Sequence, residues 1–181
     1  MTAPGPLAIL VVLGLMAVCG PALPDGDLSS PSPPPGTGTA PGSFSWPLAH
    51  WTLTQGYGCT SFTSEPAAAW CPTGHVHTGL DLAAPPGTPV LAAGAGVAEV
   101  IDSPTGYGLH VIVDHGGGVS TLYGHLMQAA VRSGQEVQPG QILGWVGSTG
   151  MSTGPHLHFE IRRNGRPVDP RPWLPAAPAG R

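Results

Sequence analysis

The stretch GPHLHFEIR, residues 154–162, alternates polar and apolar side chains as a β-strand does. Because successive side chains of a strand point to opposite faces, His156, His158 and Glu160 share one face and the apolar residues between them share the other. We expect the apolar face to pack in a core. The face that carries the two histidines is then available to a partner outside that core.

The central part of the chain has the same strand-like character throughout. Short runs rich in Val, Ile and Leu, such as LHVIVDHG (109–116) and VSTLYGHL (119–126), are separated by Gly and Pro. No run shows a sustained helical period with caps. The segments GTPVLAAGAGVAEV (87–100) and GQEVQPGQILGWVG (134–147) also resemble each other. These patterns predict an all-β domain, a compact sandwich or barrel built from related hairpins.

The start of the chain contains one apolar run, Leu7–Val18. The run is too short to cross a bilayer and suits the central region of a secretory signal, although no Lys or Arg precedes it. We expect a signal peptide over residues 1–22, and lipidation at Cys19 is the alternative to cleavage after Ala22. The protein is then secreted or associated with the cell envelope, with no stable membrane span once the signal is removed.

The remaining length of the chain suits one folded domain with flanking segments. Residues 23–43 are dominated by Pro, Gly, Ser and Thr, a composition that predicts an extended linker. We expect the folded domain to cover residues 44–173. Residues 174–181 are expected to form a flexible tail.

The charged residues exclude two classes of function. The formal net charge is −4, and all six basic residues are arginine. A nucleic-acid-binding protein usually carries a basic face with interleaved aromatic residues, and this chain offers only a short cluster, Arg162, Arg163, Arg166 and Arg171. Biotinyl and lipoyl carrier modules need an acceptor lysine, and no lysine is present.

Export of the protein would place its cysteines in an oxidising compartment. Once Cys19 is removed or lipidated, Cys59 and Cys71 remain as an even pair in an oxidising compartment, and we expect them to form a disulfide. Metal binding by Cys71 and the nearby His75 is the weaker alternative, because the spacing is not that of a CxxC site.

A second histidine-bearing stretch is HVHTGLDL, residues 75–82. As a continuous strand it would place His77 and Asp81 on one face, with Gly79 between them leaving room for a third object. Two histidines and one carboxylate, with an open fourth position, form a well-attested catalytic zinc site. The second histidine would come from the HLH pair of residues 156–158, and spacing alone does not decide which member binds.

Two further imidazoles are then available for proton transfer. One is the remaining histidine of the HLH pair, and the other is His125 in TLYGHL. A histidine beside the metal can orient a water, accept its proton or stabilise an oxyanion.

The three motifs together resemble those of the lysostaphin-type (LytM-like) zinc endopeptidases. They are HTGLD (77–81), YGHL (123–126) and TGPHLHFE (153–160), in that order. The likeness continues through GQEVQPGQILGWVGSTGMSTG (134–154) and covers nearly everything from Trp46 to Asp169.

The resemblance implies that His77, Asp81 and His158 bind Zn²⁺, while His125 and His156 act on water and the oxyanion. It also implies a largely antiparallel β fold with a groove, and hydrolysis of peptide bonds in bacterial peptidoglycan. We expect the protein to be a monomer. A catalytically silent, wall-binding or regulatory relative is the alternative. Such relatives usually lack one of the five positions, and all five are present here.

The other histidines and aromatic residues are assigned plainer roles. We expect His50, His110 and His115 to be surface or turn residues, and His75 to be structural or to support the metal ligands. Glu160 is either a neighbour of the metal ligands or an outer strand residue. Tyr123 and Trp145 are expected in the core or along the groove, and Tyr57 is left without a role.

Overall fold

The computed structural model describes residues 43–177, together with Met1. The predicted signal peptide with Cys19, and the predicted linker up to residue 42, lie outside the described residues. No helix within the described part of the chain is long and apolar enough to cross a membrane.

The described residues contain β-strands and a single short 3-10 helix, which confirms the all-β prediction. In chain order the strands are β1 (Thr52–Gln55), β2 (Gly58–Thr60), β3 (His75–His77), β4 (Leu80–Ala83), β5 (Pro89–Leu91), β6 (Gly96–Ile101), β7 (Leu109–Asp114), β8 (Val119–Ala129), β9 (Gln135–Val137), β10 (Ile142–Val146), β11 (His156–Arg163) and β12 (Arg166–Val168). The 3-10 helix spans Arg171–Trp173.

Ten strands form one antiparallel sheet, in which seven follow the order β1-β4-β11-β8-β7-β6-β9. In addition, β12 pairs with β11, and β10 pairs with both β5 and β8, while β2 and β3 form a separate ribbon. The long strand β8 changes partner along its length. It lies beside β11 as far as Gly124 and beside β10 from Leu126 onward, so the change occurs at His125.

The two segments that resemble each other in sequence also meet in the structure. From the first segment, β5 pairs with β10, and β6 pairs with β9, so each strand of one segment pairs with a strand of the other.

Strand β11 carries the stretch HLHFEIR at the centre of the fold. Its apolar residues Leu157 and Phe159 are fully buried, as the alternation predicts. The opposite face is buried too, since His158 is only 5% exposed and Glu160 is 0% exposed. Glu160 is therefore not an outer strand residue. The histidine face of β11 is covered by other parts of the protein instead of facing open solvent.

A separate polar network lies within the core and includes His115. The Nδ1–H group of His115 donates to the Ala95 carbonyl oxygen (2.6 Å), and the Thr121 hydroxyl lies 2.9 Å from His115 Nε2. Thr121 also contacts the Tyr123 hydroxyl (2.9 Å), which accepts the Ala93 N–H. We call His115, Thr121 and Tyr123 the His115 network.

The prediction that His110 and His115 are surface or turn residues holds only in part, because His115 lies in the turn between β7 and β8 but neither residue is at the surface. His110 is buried and donates from Nδ1 to the Gly108 carbonyl oxygen, and His115 is 3% exposed. Both residues lie on or beside strand β7, and the adjoining glycines suggested an open turn. Local sequence does not show that a turn-flanking histidine will find buried partners from distant strands.

The first and last described segments of the domain pair with each other. The Phe44 N–H donates to the Trp173 carbonyl oxygen (3.1 Å), and the two aromatic rings are 6.2 Å apart. Leu174 just beyond is also buried. These contacts lie at the limits predicted for the domain, residues 44 and 173, and the boundaries themselves stay a prediction.

Candidate metal centre and active-site cleft

Three ligand-type atoms converge where β3, β4 and β11 meet. They are His77 Nε2, Asp81 Oδ1 and His158 Nδ1. His77 Nε2 lies 3.1 Å from Asp81 Oδ1, His158 Nδ1 lies 2.9 Å from the same oxygen, and the two nitrogens are 3.2 Å apart. The structure thus brings together the set that the resemblance implies, and it selects His158 from the HLH pair.

Strand pairing explains how residues far apart in sequence meet at this point. Asp81 in β4 lies directly opposite His158 in β11, and His158 also lies opposite Gly124 in β8. His77 ends β3, and Thr78 and Gly79 separate it from β4. The expected single strand over residues 75–82 is therefore wrong, because the chain leaves one sheet and joins another within it.

Gly79 allows that crossing to pass close to β11. A Cβ atom at this position would lie 2.4 Å from the Phe159 carbonyl oxygen and 3.0 Å from His158 Nε2. The space beside the glycine is thus filled by β11 itself, and the expectation that it leaves room for a third object is wrong. A side chain at Gly79 would push the two metal-centre strands apart.

Each of the two histidines has its other ring nitrogen engaged by an acceptor. His77 Nδ1–H donates to the Gly56 carbonyl oxygen (3.0 Å), and His158 Nε2–H donates to Glu160 Oε1 (3.1 Å). These bonds orient the rings and select the tautomers, as acceptors beyond the ligands do in metal sites. In the neutral rings, the lone pairs of His77 Nε2 and His158 Nδ1 then face Asp81.

This donor set fits a zinc ion. Two imidazole lone pairs and a carboxylate that face one another repel unless a cation or a proton lies between them. Zn–N and Zn–O bonds of about 2.0–2.1 Å give tetrahedral ligand separations of roughly 3.3 Å. The separations here are 2.9 to 3.2 Å, close to that value.

The electrostatic interactions of Asp81 and His158 also favour positive charge at this point. Burial lowers the pKa of His158, but the hydrogen bonds and negative charges of Asp81 and Glu160 outweigh it and raise the pKa to about 9. Burial likewise raises the pKa of Asp81, yet its hydrogen bonds to His158 and His77 hold that pKa well below its usual range. The carboxylate is thus ionised and ready to bind a metal.

Glu160 is the centre of a buried polar cluster behind His158. Its carboxylate accepts hydrogen bonds from the Tyr107 hydroxyl (2.7 Å), from Arg162 Nε (2.6 Å) and from Thr78. Burial raises the pKa of Glu160, but His158 and Arg162 more than compensate and lower it. The cluster keeps the carboxylate charged and aimed at His158 Nε2.

Tyr107 is a site residue that sequence reasoning missed. Its ring lies 5.3 Å from the His158 ring, Arg162 Cζ lies 5.5 Å from the ring centroid, and the residue lines the cleft. It comes from the loop between β6 and β7, where flanking glycines suggest only a turn. No motif spacing connects this loop to the histidines, so no local signal identified it.

His125 and His156 stand together beside the metal centre. Their ring centroids are 4.7 Å apart, and His156 Nε2 lies 3.6 Å from Asp81 Oδ1. His125 Nδ1–H donates to the Thr149 carbonyl oxygen (2.8 Å), and His156 Nδ1–H donates to that of Gly154 (2.8 Å). In each ring these bonds leave Nε2 available to the cleft.

A backbone irregularity places His125 at the cleft. His125 has φ of 61°, a left-handed conformation that costs a non-glycine residue of the order of 1–2 kcal/mol. Tyr123 and Leu126 both lie in the core, so the alternation of β8 changes phase between them. A regular strand would have pointed residue 125 into the core beside Tyr123.

The proposed catalytic residues line a cavity of about 390 Å³. Its floor includes Asp81 and the histidines His125, His156 and His158. The loop between β2 and β3 contributes Phe62, Ser64, Glu65 and Pro66 to the lining, and the segment before β11 contributes Met151, Ser152 and Thr153. Phe62 and Met151 are more than half exposed, so both rims present apolar side chains to the solvent.

The wall between β2 and β3 is closed by the expected disulfide, Cys59–Cys71. This pairing contradicts the alternative in which Cys71 binds a metal. His75 has the structural role expected of it, since its Nδ1–H donates to the Glu65 carbonyl oxygen (2.8 Å). Tyr57 contacts the Pro167 carbonyl oxygen at 3.4 Å and is not among the residues that line the cavity.

Comparison with known proteins agrees with this site. Residues 75–170 match the family model of Peptidase family M23. The DD-carboxypeptidase/endopeptidase Mpg of Neisseria meningitidis serogroup B is 51% identical over 98 residues, which are 54% of this chain and 23% of that protein. The murein hydrolase activator EnvC of Escherichia coli is 45% identical over 96 residues, 53% of this chain and 23% of that protein.

A solved structure gives the same result for the fold. The catalytic domain of the prophage-encoded M23 protein EnpA from Enterococcus faecalis superimposes with a TM-score of 0.60 and 36% identity, covering 71% of this chain and 96% of that one. This chain therefore spans a whole catalytic domain of that type, but only about a quarter of the length of Mpg and EnvC.

Proposed function

The chain belongs to peptidase family M23, and from that premise we propose that it is a zinc endopeptidase that hydrolyses peptide bonds in bacterial peptidoglycan. The observation that carries the proposal is the convergence of His77 Nε2, Asp81 Oδ1 and His158 Nδ1 at a cleft that also holds two more imidazoles. Mpg, a relative named as an endopeptidase, supports the same reaction class.

His77, Asp81 and His158 would hold the zinc ion. A zinc ion bound there would polarise the scissile carbonyl and lower the pKa of the attacking water. By accepting the Nε2–H, Glu160 favours the neutral tautomer of His158 whose Nδ1 lone pair is free to bind the metal. The chain contributes one negative charge through these three ligands, and the site then keeps a net positive charge for the developing oxyanion.

His125 is suited to accept a proton from the attacking water. Burial lowers its pKa to about 4, although the bond to the Thr149 carbonyl oxygen acts in the opposite direction. The imidazole is therefore neutral at pH 7, with Nδ1–H held by Thr149 and the Nε2 lone pair free to act as a base.

His156 supplies the second imidazole. With its Nδ1 bonded to the Gly154 carbonyl oxygen, its Nε2 also faces the metal side of the cleft. One of the two rings would take the proton from water and pass it on to the leaving amine, while the other, with a proton on Nε2, would stabilise the negative charge that develops on the carbonyl oxygen. The two ring centroids are 4.7 Å apart.

A regulatory role is the second candidate function. It is favoured by EnvC, a relative of similar identity that is named as an activator of hydrolases. Against it, all five proposed metal and catalytic positions are present here. Four of them line one cleft, and His77 meets two of those four at the metal centre. A peptidoglycan substrate also fits a location of the protein outside the cytoplasmic membrane. We propose that the protein is secreted or associated with the envelope, and that it is a monomer.

Mass spectrometry of soluble fragments released from purified peptidoglycan tests the proposal. The zinc-loaded protein should release fragments with new amine and carboxylate ends, and a zinc chelator should prevent their release. The new ends also identify the bond that is cut. Retention on peptidoglycan without any released fragment would overturn the enzymatic proposal and support the regulatory one.

A further inference from the structure

Glu65 is an acidic residue of the cleft wall that the proposed reaction does not use. It lies in the loop closed by Cys59–Cys71, and its side chain lines the same cavity as the metal centre. Its backbone is held at both ends, because its N–H donates to the Phe62 carbonyl oxygen (3.1 Å) and its own carbonyl oxygen accepts from His75 (2.8 Å). The backbone that carries the Glu65 carboxylate is therefore fixed by hydrogen bonds within the loop.

The Glu65 carboxylate lies one side chain away from the metal centre. Gln55 Nε2 approaches Glu65 Oε1 at 3.5 Å, and Gln55 pairs with Asp81 across β1 and β4. Directly opposite residues of an antiparallel pair have Cβ atoms about 4.5–5.5 Å apart. A peptide that lies across the metal centre would thus pass close to Glu65.

Among the described residues that line the cavity, no Lys or Arg side chain is available to the Glu65 carboxylate. The long contact from Gln55 is the one side-chain hydrogen bond to Glu65 within the described part of the chain. Burial raises the pKa of Glu65, and the charges of His77 and His158 offset this only in part. Glu160, in contrast, has Arg162 beside it.

An uncompensated carboxylate in a half-buried site costs free energy of folding, so its presence indicates a partner that arrives later. We propose that Glu65 binds a positively charged amino group of the peptide substrate next to the scissile bond. This inference rests on the proposed function and narrows it to peptides with a free amine. A charge-assisted hydrogen bond in a partly desolvated cleft gives such peptides an advantage.

A matched pair of peptides tests the inference. Both are stem-peptide analogues with one lysine beside the scissile bond, its ε-amino group free in one and acetylated in the other. Binding is measured to the zinc-loaded His125→Ala protein, so that hydrolysis is not required. Zinc content is measured in every variant, which separates loss of a peptide contact from loss of the metal.

The free-amine peptide should bind about tenfold more tightly or better than the acetylated one. Adding Glu65→Gln should bring this ratio close to one while zinc content stays the same. Glu136→Gln serves as the matched control, because Glu136 is an exposed glutamate of β9 outside the cavity, and it should preserve the ratio. Equal binding of the two peptides, no measurable binding of either, or a ratio that survives Glu65→Gln overturns the inference.

The same peptides, given to the protein with His125 intact, separate the two proposals. Hydrolysis of both peptides at equal rates would support the endopeptidase proposal and contradict the proposed role of Glu65 in binding an amino group. Discrimination in binding without hydrolysis of either peptide would support the role of Glu65 and count against the endopeptidase proposal.

Discussion

The metal centre and the His115 network both contain buried histidine, and they differ in how the ring nitrogens are used. In the network, both nitrogens of His115 are engaged within the protein, Nδ1 by Ala95 and Nε2 by Thr121. In the metal centre, His77 and His158 each have one nitrogen bonded to an acceptor behind the ring. The other nitrogen points toward Asp81 and the neighbouring histidine.

This difference shows that burial alone does not identify a functional histidine. A ring with both nitrogens satisfied by the protein contributes to stability, whereas a ring with one nitrogen left facing other lone pairs requires a cation. Variants of the metal centre should therefore change metal binding or turnover, and variants of the His115 network should change stability alone.

Asp81→Ala should have the largest effect. Removing the carboxylate leaves two neutral imidazoles and no negative charge among the ligands, so zinc content should fall from one per chain to near zero and hydrolysis should stop. Zinc is measured by elemental analysis after gel filtration. Asp102→Ala, at an exposed position after β6, is the control, and an Asp81 variant that retained zinc would show that the three-ligand assignment is wrong.

His125→Ala should reduce turnover by about 10²–10⁴-fold and leave zinc content unchanged. The side chain contacts neither Asp81 nor a metal-facing nitrogen within hydrogen-bonding distance, and its proposed task is proton transfer. Fragment release is compared with that of His50→Ala, which alters an exposed histidine. Loss of zinc equal to that in Asp81→Ala would make His125 a ligand and contradict its assigned role.

Glu160→Gln should weaken zinc affinity by about 10–100-fold, as loss of an acceptor behind a metal-bound histidine usually does. The amide keeps the volume of the side chain but removes the charge that favours the required tautomer of His158. Competition with a chelator measures the affinity, and exposed Glu99 provides the matched Glu→Gln control. Unchanged affinity would mean that Glu160 serves only to compensate Arg162.

Thr121→Val should destabilise the fold by about 1–2 kcal/mol and leave zinc affinity unaltered. The substitution preserves shape but leaves His115 Nε2 and the Tyr123 hydroxyl without their shared partner in a fully buried site. Urea unfolding measures the change, with exposed Thr52→Val in β1 as the control. A loss of zinc affinity would show that the His115 network also affects the metal centre, and would contradict the assignment of this network to stability alone.

The smallest predicted effect is a change in the pH dependence of stability. Burial lowers the pKa of His115, against the Ala95 hydrogen bond, so the folded state disfavours the charged ring. The unfolded chain takes up that proton near pH 6.5, so stability falls as the pH drops below about 6.5, by at most about 1.4 kcal/mol per pH unit. His115→Asn should lose less stability than the parent protein between pH 7 and 5.5. Parallel unfolding curves for the two proteins would contradict this.

Much of the fold class and the set of candidate residues could be predicted from local sequence. Period-2 alternation in residues 156–163 correctly predicted strand β11 and its buried apolar face, because side-chain direction in a strand depends only on the backbone. The motif order correctly predicted the family and the residues that meet at the metal centre. The pairing of Cys59 with Cys71 followed from export and an even number of cysteines.

Tertiary pairing decided the features that local sequence could not show. His158 lies against Asp81, and Gly79 has no space beside it, because of the register of β4 against β11. That register depends on residues about 80 positions apart. Tyr107 joined the site only because a loop between two other strands folds over Glu160.

The sequence by itself thus determined the chemistry available to this protein: five side chains of the right kinds, an all-β framework and a braced cysteine loop. Only the tertiary structure decided which nitrogen of each histidine faces the metal centre, and that His115 is structural. It also decided that His125, with its left-handed backbone conformation, lies at the cleft and not in the core. The physical reason is that residue type sets the donors and acceptors a side chain offers. Their partners are set by strand pairing between distant segments.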